Sequence, residues 1–119
     1  MATTVVIVDD HAGFRRMARR MLEDAGFDVV GEAADGEGAL SSVAALGPEL
    51  VLLDIQLPDL DGFAVAQRLT QSGTNALVIL TSSRAASDYG ARLARTSAIG
   101  FITKAELSGP AVAGLLGAA

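Results

Sequence analysis

The chain has 119 residues, half of them hydrophobic and 19% charged, the size of one compact domain that buries roughly two-thirds of its unfolded surface. Its net charge of −5 argues against a nucleic-acid backbone binder, which needs clustered Lys and Arg, and suits small cations better. With no cysteine, disulfides, zinc-thiolate centres and thiol catalysis are excluded, and the single His11 excludes a multi-histidine metal site.

From the N-terminus, MATTVVIVDD has no basic segment before its short apolar run and then meets two acids. It reads as a first strand, residues 4–8, and not as a signal peptide or anchor. AGFRRMARRMLEDAG then spaces Phe14, Met17, Ala18, Met21, Leu22 and Ala25 along one face of a helix that Gly26 stops. DVVGEA (28–33) is a second strand, and GEGALSSVAALG a second helix with Ala39, Leu40, Val43 and Leu46 on its apolar face. LVLLD (50–54) is the third strand. After it, Pro58 and Asp61-Gly62 turn the chain into GFAVAQRLTQSG, a helix with Phe63, Val65, Ala66 and Leu69 inward and Asp61 near its positive end. ALVILT (76–81) is the fourth strand, and RAASDYGARLARTS is expected to be a weaker helix because Gly90 lies inside it. GFIT (100–103) is the fifth strand, and LSGPAVAGLLGAA starts a last helix near Pro110, a residue tolerated in a first turn. No apolar stretch reaches the length of a membrane span, and no repeat, linker or low-complexity segment divides the chain. Residues 1–119 are therefore expected to form one cytoplasmic domain.

Five β-α units predict an α/β fold, a parallel sheet with helices on both faces joined by right-handed crossovers. The first, third and fourth strands are apolar almost throughout, as strands covered on both faces are. In such sheets functional groups gather beyond the carboxyl ends of the strands. Those ends carry Asp9 and Asp10, Asp54, Thr81 followed by Ser82 and Ser83, and Thr103 followed by Lys104. Three carboxylates brought together repel one another unless a cation lies among them, and an all-oxygen donor set suits Mg²⁺. Lys104 adds positive charge where a transferred phosphoryl group needs it. A carboxylate so placed can attack phosphorus and form an aspartyl phosphate, with Asp54 as the nucleophile. Asp9 and Asp10 then hold the metal, the Gln56 backbone carbonyl completes its protein ligands, and Thr81 donates to a phosphoryl oxygen.

The stretches VIVDD, VLLDIQLPDLDG, VILTS and GFITK, in that order and each at a predicted strand end, resemble the receiver domain of bacterial two-component response regulators. The resemblance covers nearly the whole chain and implies a (βα)5 flavodoxin-like, doubly wound parallel sheet with strand order 2-1-3-4-5. It implies that Asp54 accepts a phosphoryl group from the histidine of a sensor kinase or a phosphotransfer protein, with Mg²⁺ as cofactor. Asp9 and Asp10 match the acidic pair, with Asp10 the more direct ligand beside Asp54, and Gln56 matches the position whose main-chain oxygen binds the metal. Thr81 matches the switch hydroxyl, Phe101 the switch aromatic and Lys104 the family's lysine. In that family, phosphorylation draws the hydroxyl toward the phosphate and lets the aromatic turn inward. The surface of the fourth helix, fifth strand and fifth helix changes as a result, and partners bind there. The same resemblance suggests a homodimer on phosphorylation, with catalysis limited to the domain's own phosphorylation and dephosphorylation. RAASDYGARL resembles receivers of transcription-factor type. No output segment lies within the chain, which is expected to be a stand-alone regulator or a piece of a longer one. Ala105 stands where family members commonly have proline, so the loop into the last helix is expected to follow a different path.

Simpler readings compete at each position. A strand-end Asp is often only a helix cap, and Arg15, Arg16, Arg19 and Arg20 form either a solvated face or a docking surface for the phosphodonor. Gly36 to Gly38 are read as a turn and not as a dinucleotide fingerprint. A haloacid dehalogenase-like phosphohydrolase needs a second acid two residues after the nucleophile, where this chain has Gln56, an amide that cannot transfer the proton. A pseudo-receiver, a protein-binding module that takes no phosphate, is the other alternative.

Overall fold

In the computed structural model, which describes residues 2–118, the LVLLD run is buried at all five positions because the strand lies between two helical layers. It is β3 (Leu50–Asp54), the centre of a five-stranded parallel sheet ordered β2-β1-β3-β4-β5. The other strands are β1 (Thr4–Val8), β2 (Asp28–Ala33), β4 (Leu77–Ser82) and β5 (Gly100–Thr103). Between and after them run α1 (Ala12–Asp24), α2 (Gly36–Leu46), α3 (Gly62–Gln71), α4 (Ala91–Arg95) and α5 (Gly109–Ala118). The expected architecture and strand order are those observed.

Strand side chains alternate between the two faces. Val6, Val8, Val51, Leu53, Val78 and Leu80 pack with Ala39, Val43, Val65, Ala66 and Leu69, on the side covered by α2 and α3. Val5, Ile7, Leu50, Leu52 and Ile79 pack with Ala18, Leu22 and Val112, on the side of α1 and α5. Continuing this second set by two residues brings the sequence to Asp9, Asp54, Thr81 and, from Ile102, to Lys104. The register pairs Ile7 with Leu52, Asp54 with Thr81, and Thr81 with Ile102. The four polar groups thus extend one face of neighbouring strands past their carboxyl ends.

Three helices differ in detail from the sequence reading. In α1, Ala18 and Leu22 are buried and Phe14 and Met21 half-buried, but Met17 and Ala25 are exposed, so the apolar stripe is narrower than its spacing suggests. In α2, Leu46 is exposed at the helix end, where its side chain lies over Gly31 of edge strand β2. The Gly36–Gly38 triplet is the first turn of α2 and not a separate turn. The segment 84–97 is broken: a 3₁₀ turn at Ala86–Asp88 precedes a five-residue α4, with Gly90 between them at φ +52° and ψ −126°. That backbone lies far from helical angles and is open mainly to glycine.

Candidate functional site

Asp54 is the last residue of β3 and is 3% exposed. One carboxylate oxygen, Oδ1, accepts from the Gln56 backbone N–H at 3.1 Å, and Oδ2 lies 3.4 Å from Lys104 Nζ. Burial pushes its carboxyl above the ordinary aspartate value. The Gln56 N–H opposes that shift, the Asp9 charge adds to it, and the Lys104 ammonium again opposes it. The chain can turn directly after Asp54 because Gly62 crosses the strand end. A Cβ there would come within 2.6 Å of the Asp54 carbonyl oxygen and 2.8 Å of Ile55 Cα. Asp61 caps the helix that follows, accepting from Ala64 N–H at 2.8 Å, as the sequence suggested.

Asp9 is fully buried one residue beyond β1. Its Oδ1 accepts from the His11 N–H at 2.8 Å and lies 3.2 Å from His11 Nδ1. Its Oδ2 faces Lys104 Nζ at 2.6 Å, an ionic contact that lacks the alignment of a hydrogen bond. Asp10 is exposed, with Oδ1 3.0 Å from His11 Nδ1. One donor atom from each of Asp9, Asp10, His11 and Asp54 falls within 4.8 Å of the others. Thr81 stands in register beside Asp54, and its buried Oγ1 has no hydrogen-bond partner. An unsatisfied buried hydroxyl is costly and uncommon, and this one stands next to Asp54 at the strand tips.

Lys104 follows β5 in a 3₁₀ turn, Lys104–Glu106, with a trans bond to Ala105, and its ammonium reaches both buried acids. Burial lowers its pKa, but the close contact with the Asp9 carboxylate and the charges of Asp54 and Asp9 outweigh that and raise it overall. The ammonium also lies 4.4 Å from the centroid of Phe14 on α1, a cation–π contact. Helical spacing assigned Phe14 only to the core face, and no local signal links it to a lysine ninety positions away. Gln56 is exposed beside the pocket, and Phe101 is half-buried on the opposite face of β5.

Two further carboxylates support the frame. Asp59, which sequence reasoning passed over, accepts from Gly36 N–H at 2.7 Å, Glu37 N–H at 3.0 Å and Leu60 N–H at 2.8 Å, tying the β3–α3 loop to the start of α2. The Gly36 bond, followed by the Glu37 bond, holds its pKa low. Burial pushes Glu32 up, but Arg19 and Arg15 bind it at 2.8 and 3.0 Å and bring it below the ordinary value. The basic face of α1 is therefore half internal. Arg15 also donates to the Asp9 carbonyl at 2.6 Å, while Arg16 and Arg20 are exposed.

A doubly wound parallel sheet of order β2-β1-β3-β4-β5, with an acidic pocket and one ammonium at its strand tips, is a flavodoxin-like receiver fold. The chain belongs to the response regulator receiver domain family, whose profile matches residues 5–109. It is 36% identical over 106 residues to BvgA of Bordetella pertussis, named as a transcription regulator of virulence factors, covering 89% of this chain and 51% of that protein. It is 42% identical over 80 residues to a protein-glutamate methylesterase/protein-glutamine glutaminase of Myxococcus xanthus, covering 66% of this chain and 23% of that one. The signal receiver domain of NarL from Mycobacterium tuberculosis superposes with a TM-score of 0.86 at 30% identity, covering 98% of each chain. The chain spans about half the length of BvgA. Among the described residues, no helix is long and apolar enough to cross a membrane.

Proposed function

We propose that this domain is a phosphorylatable switch whose acceptor is Asp54. The observation that carries the reading is the constellation at the strand tips. Two buried carboxylates share one ammonium, and an unpartnered buried hydroxyl stands beside the acceptor. A carboxylate oxygen of Asp54 attacks the phosphorus of a phosphohistidine. The new O–P bond forms as the P–N bond breaks, the electron pair stays on the leaving imidazole, and a proton from water neutralises it. Lys104 balances charge on the transferred group, and Thr81 donates its unused hydrogen to a phosphoryl oxygen.

The residues fit Mg²⁺. Three clustered carboxylates beside a single ammonium leave an excess of two negative charges, the main donors are hard oxygens, and buried Asp9 Oδ2 lacks an aligned donor. Asp9, Asp10, Asp54 and the Gln56 carbonyl would hold the ion, which supplies charge neutralisation for the incoming phosphoryl oxygens. The phosphodonor is a sensor histidine kinase or phosphotransfer protein, with exposed Arg16 and Arg20 of α1 available to receive it. Likeness to transcription regulators such as BvgA supports an output in transcriptional control, exerted through another domain or target, with phosphorylation switching a partner or homodimer surface around Phe101, α4 and α5. The only catalysis is the domain's own phosphorylation and dephosphorylation, in the cytoplasm.

Intact mass after incubation with Mg²⁺ and acetyl phosphate tests this. Wild type should gain one phosphoryl group, and Asp54→Asn or chelated protein none. Equal labelling of Asp54→Asn would remove the acceptor assignment. No gain in folded wild type would favour a pseudo-receiver that only binds proteins.

A further inference from the structure

Tyr89 lies outside the phosphoryl-transfer site. It follows the 3₁₀ turn Ala86–Asp88 in the loop between β4 and α4, half-buried. Its ring stands edge-on between Phe63 of α3, at 5.8 Å, and Phe101 of β5, at 5.9 Å. Its hydroxyl lies 2.5 Å from Oγ of Ser82, which is fully buried and also accepts from Arg84 N–H at 3.0 Å. Ser82 follows Thr81 in β4 and pairs in register with Thr103, the neighbour of Lys104. Phe101 pairs with Leu80 and packs on the same face as Tyr89. One side chain thus joins the end of β4 to the aromatic of β5 and to α3.

We propose that Tyr89 is a positioning residue that latches the β4–α4 loop in the resting arrangement, and that phosphorylation of Asp54 releases it. The proposal rests on the phosphoacceptor reading. Drawing Thr81 toward a phosphoryl group on Asp54 shifts the adjoining Ser82 peptide, and with it a short contact whose partner is held between two rings. Movement of Phe101 within its face meets the Tyr89 ring. Both displacements oppose the latch, so the latch stabilises one of two states and removing it shifts the population toward the other. A single neutral hydrogen bond supplies a shift of about two- to tenfold.

Tyr89 is the only tyrosine and the chain has no tryptophan, so its emission reports on the latch without an added probe. Wild type, Asp54→Asn, Tyr89→Phe, Ser82→Ala and the Tyr89→Phe/Ser82→Ala double variant are incubated with Mg²⁺ and acetyl phosphate, and labelling is followed by intact mass. Tyrosine emission should change as wild type is labelled and stay constant in Asp54→Asn. Tyr89→Phe, which keeps the ring, and Ser82→Ala should each speed labelling about two- to tenfold, the double variant no further, since both break one bond. Unchanged emission in labelled wild type overturns the latch alone, as do unaltered rates in the single variants or additive effects in the double. Wild type that takes no label overturns the phosphoacceptor reading and the latch with it.

Discussion

At the residue scale, the site is a balance of charges that the fold enforces against their preference. Burial and the Asp9 charge raise the Asp54 carboxyl, so the folded chain keeps that proton to higher pH than the unfolded chain does. In the window just above the ordinary aspartate value, the native state therefore binds more protons, and stability falls as pH rises through it. Replacing the charge by an isosteric amide removes the penalty. Asp54→Asn should raise the melting temperature by a few degrees in metal-free buffer near neutrality and lose that advantage at acid pH, read by calorimetry. Lys104 acts in the opposite sense, as the only cation among the described residues that contacts both buried acids. Lys104→Ala should cost about 2 kcal/mol in urea unfolding, less than a fully buried pair because the lysine side chain is 19% exposed.

At the element scale, the β3–α3 connection decides where Asp54 points. Gly62 lets the first turn of α3 cross directly over the Asp54 peptide, and its N–H donates to the Ile55 carbonyl at 2.8 Å. Gly62→Ala puts a methyl group into backbone that has no rotamer to yield. A loss of about 1–3 kcal/mol is expected from chemical denaturation, together with slower labelling of Asp54 because the strand end must shift. The next element is joined to the same corner: Arg92 of α4 bonds Asp61 at 2.6 Å and stacks on Phe63 at 4.3 Å, although α4 has only five residues. Gly90 was the sequence signal for that short helix. Its φ and ψ, which only the tertiary structure gives, turn a weak helix into a broken one.

At the scale of the whole molecule, three of the acids behind a net charge of −5 gather at the strand tips. A cation that binds the folded pocket and not the unfolded chain stabilises by mass action, about 2.7 kcal/mol at a hundredfold excess over its dissociation constant. Mg²⁺ should accordingly raise the melting temperature of wild type in proportion to the logarithm of its concentration. Asp10→Ala should flatten that response with little change in the metal-free melt, because Asp10 is exposed and, among the described residues, its carboxylate pairs only with His11. A wild-type melt indifferent to Mg²⁺ would remove the metal from the site.

The sequence by itself determined the strands, their burial and the residues at their tips. A central parallel strand is apolar throughout, so the polar residue that ends it stands out in one dimension, as Asp54 does after LVLL and Thr81 after LVIL. Family resemblance added the order of the strands and the company these residues keep. Only the tertiary structure decided the contacts made between distant elements: Phe14 under the Lys104 ammonium, Asp59 on the start of α2, and Tyr89 between Phe63 and Phe101 with its hydroxyl on Ser82. These contacts carry no periodic signature, because each joins residues whose separation in sequence is set by loop lengths and whose meeting is set by the packing of helices on the sheet. The exposure of Met17 and Leu46 was decided the same way: helical spacing names a face, but the sheet's width determines how much of that face it covers.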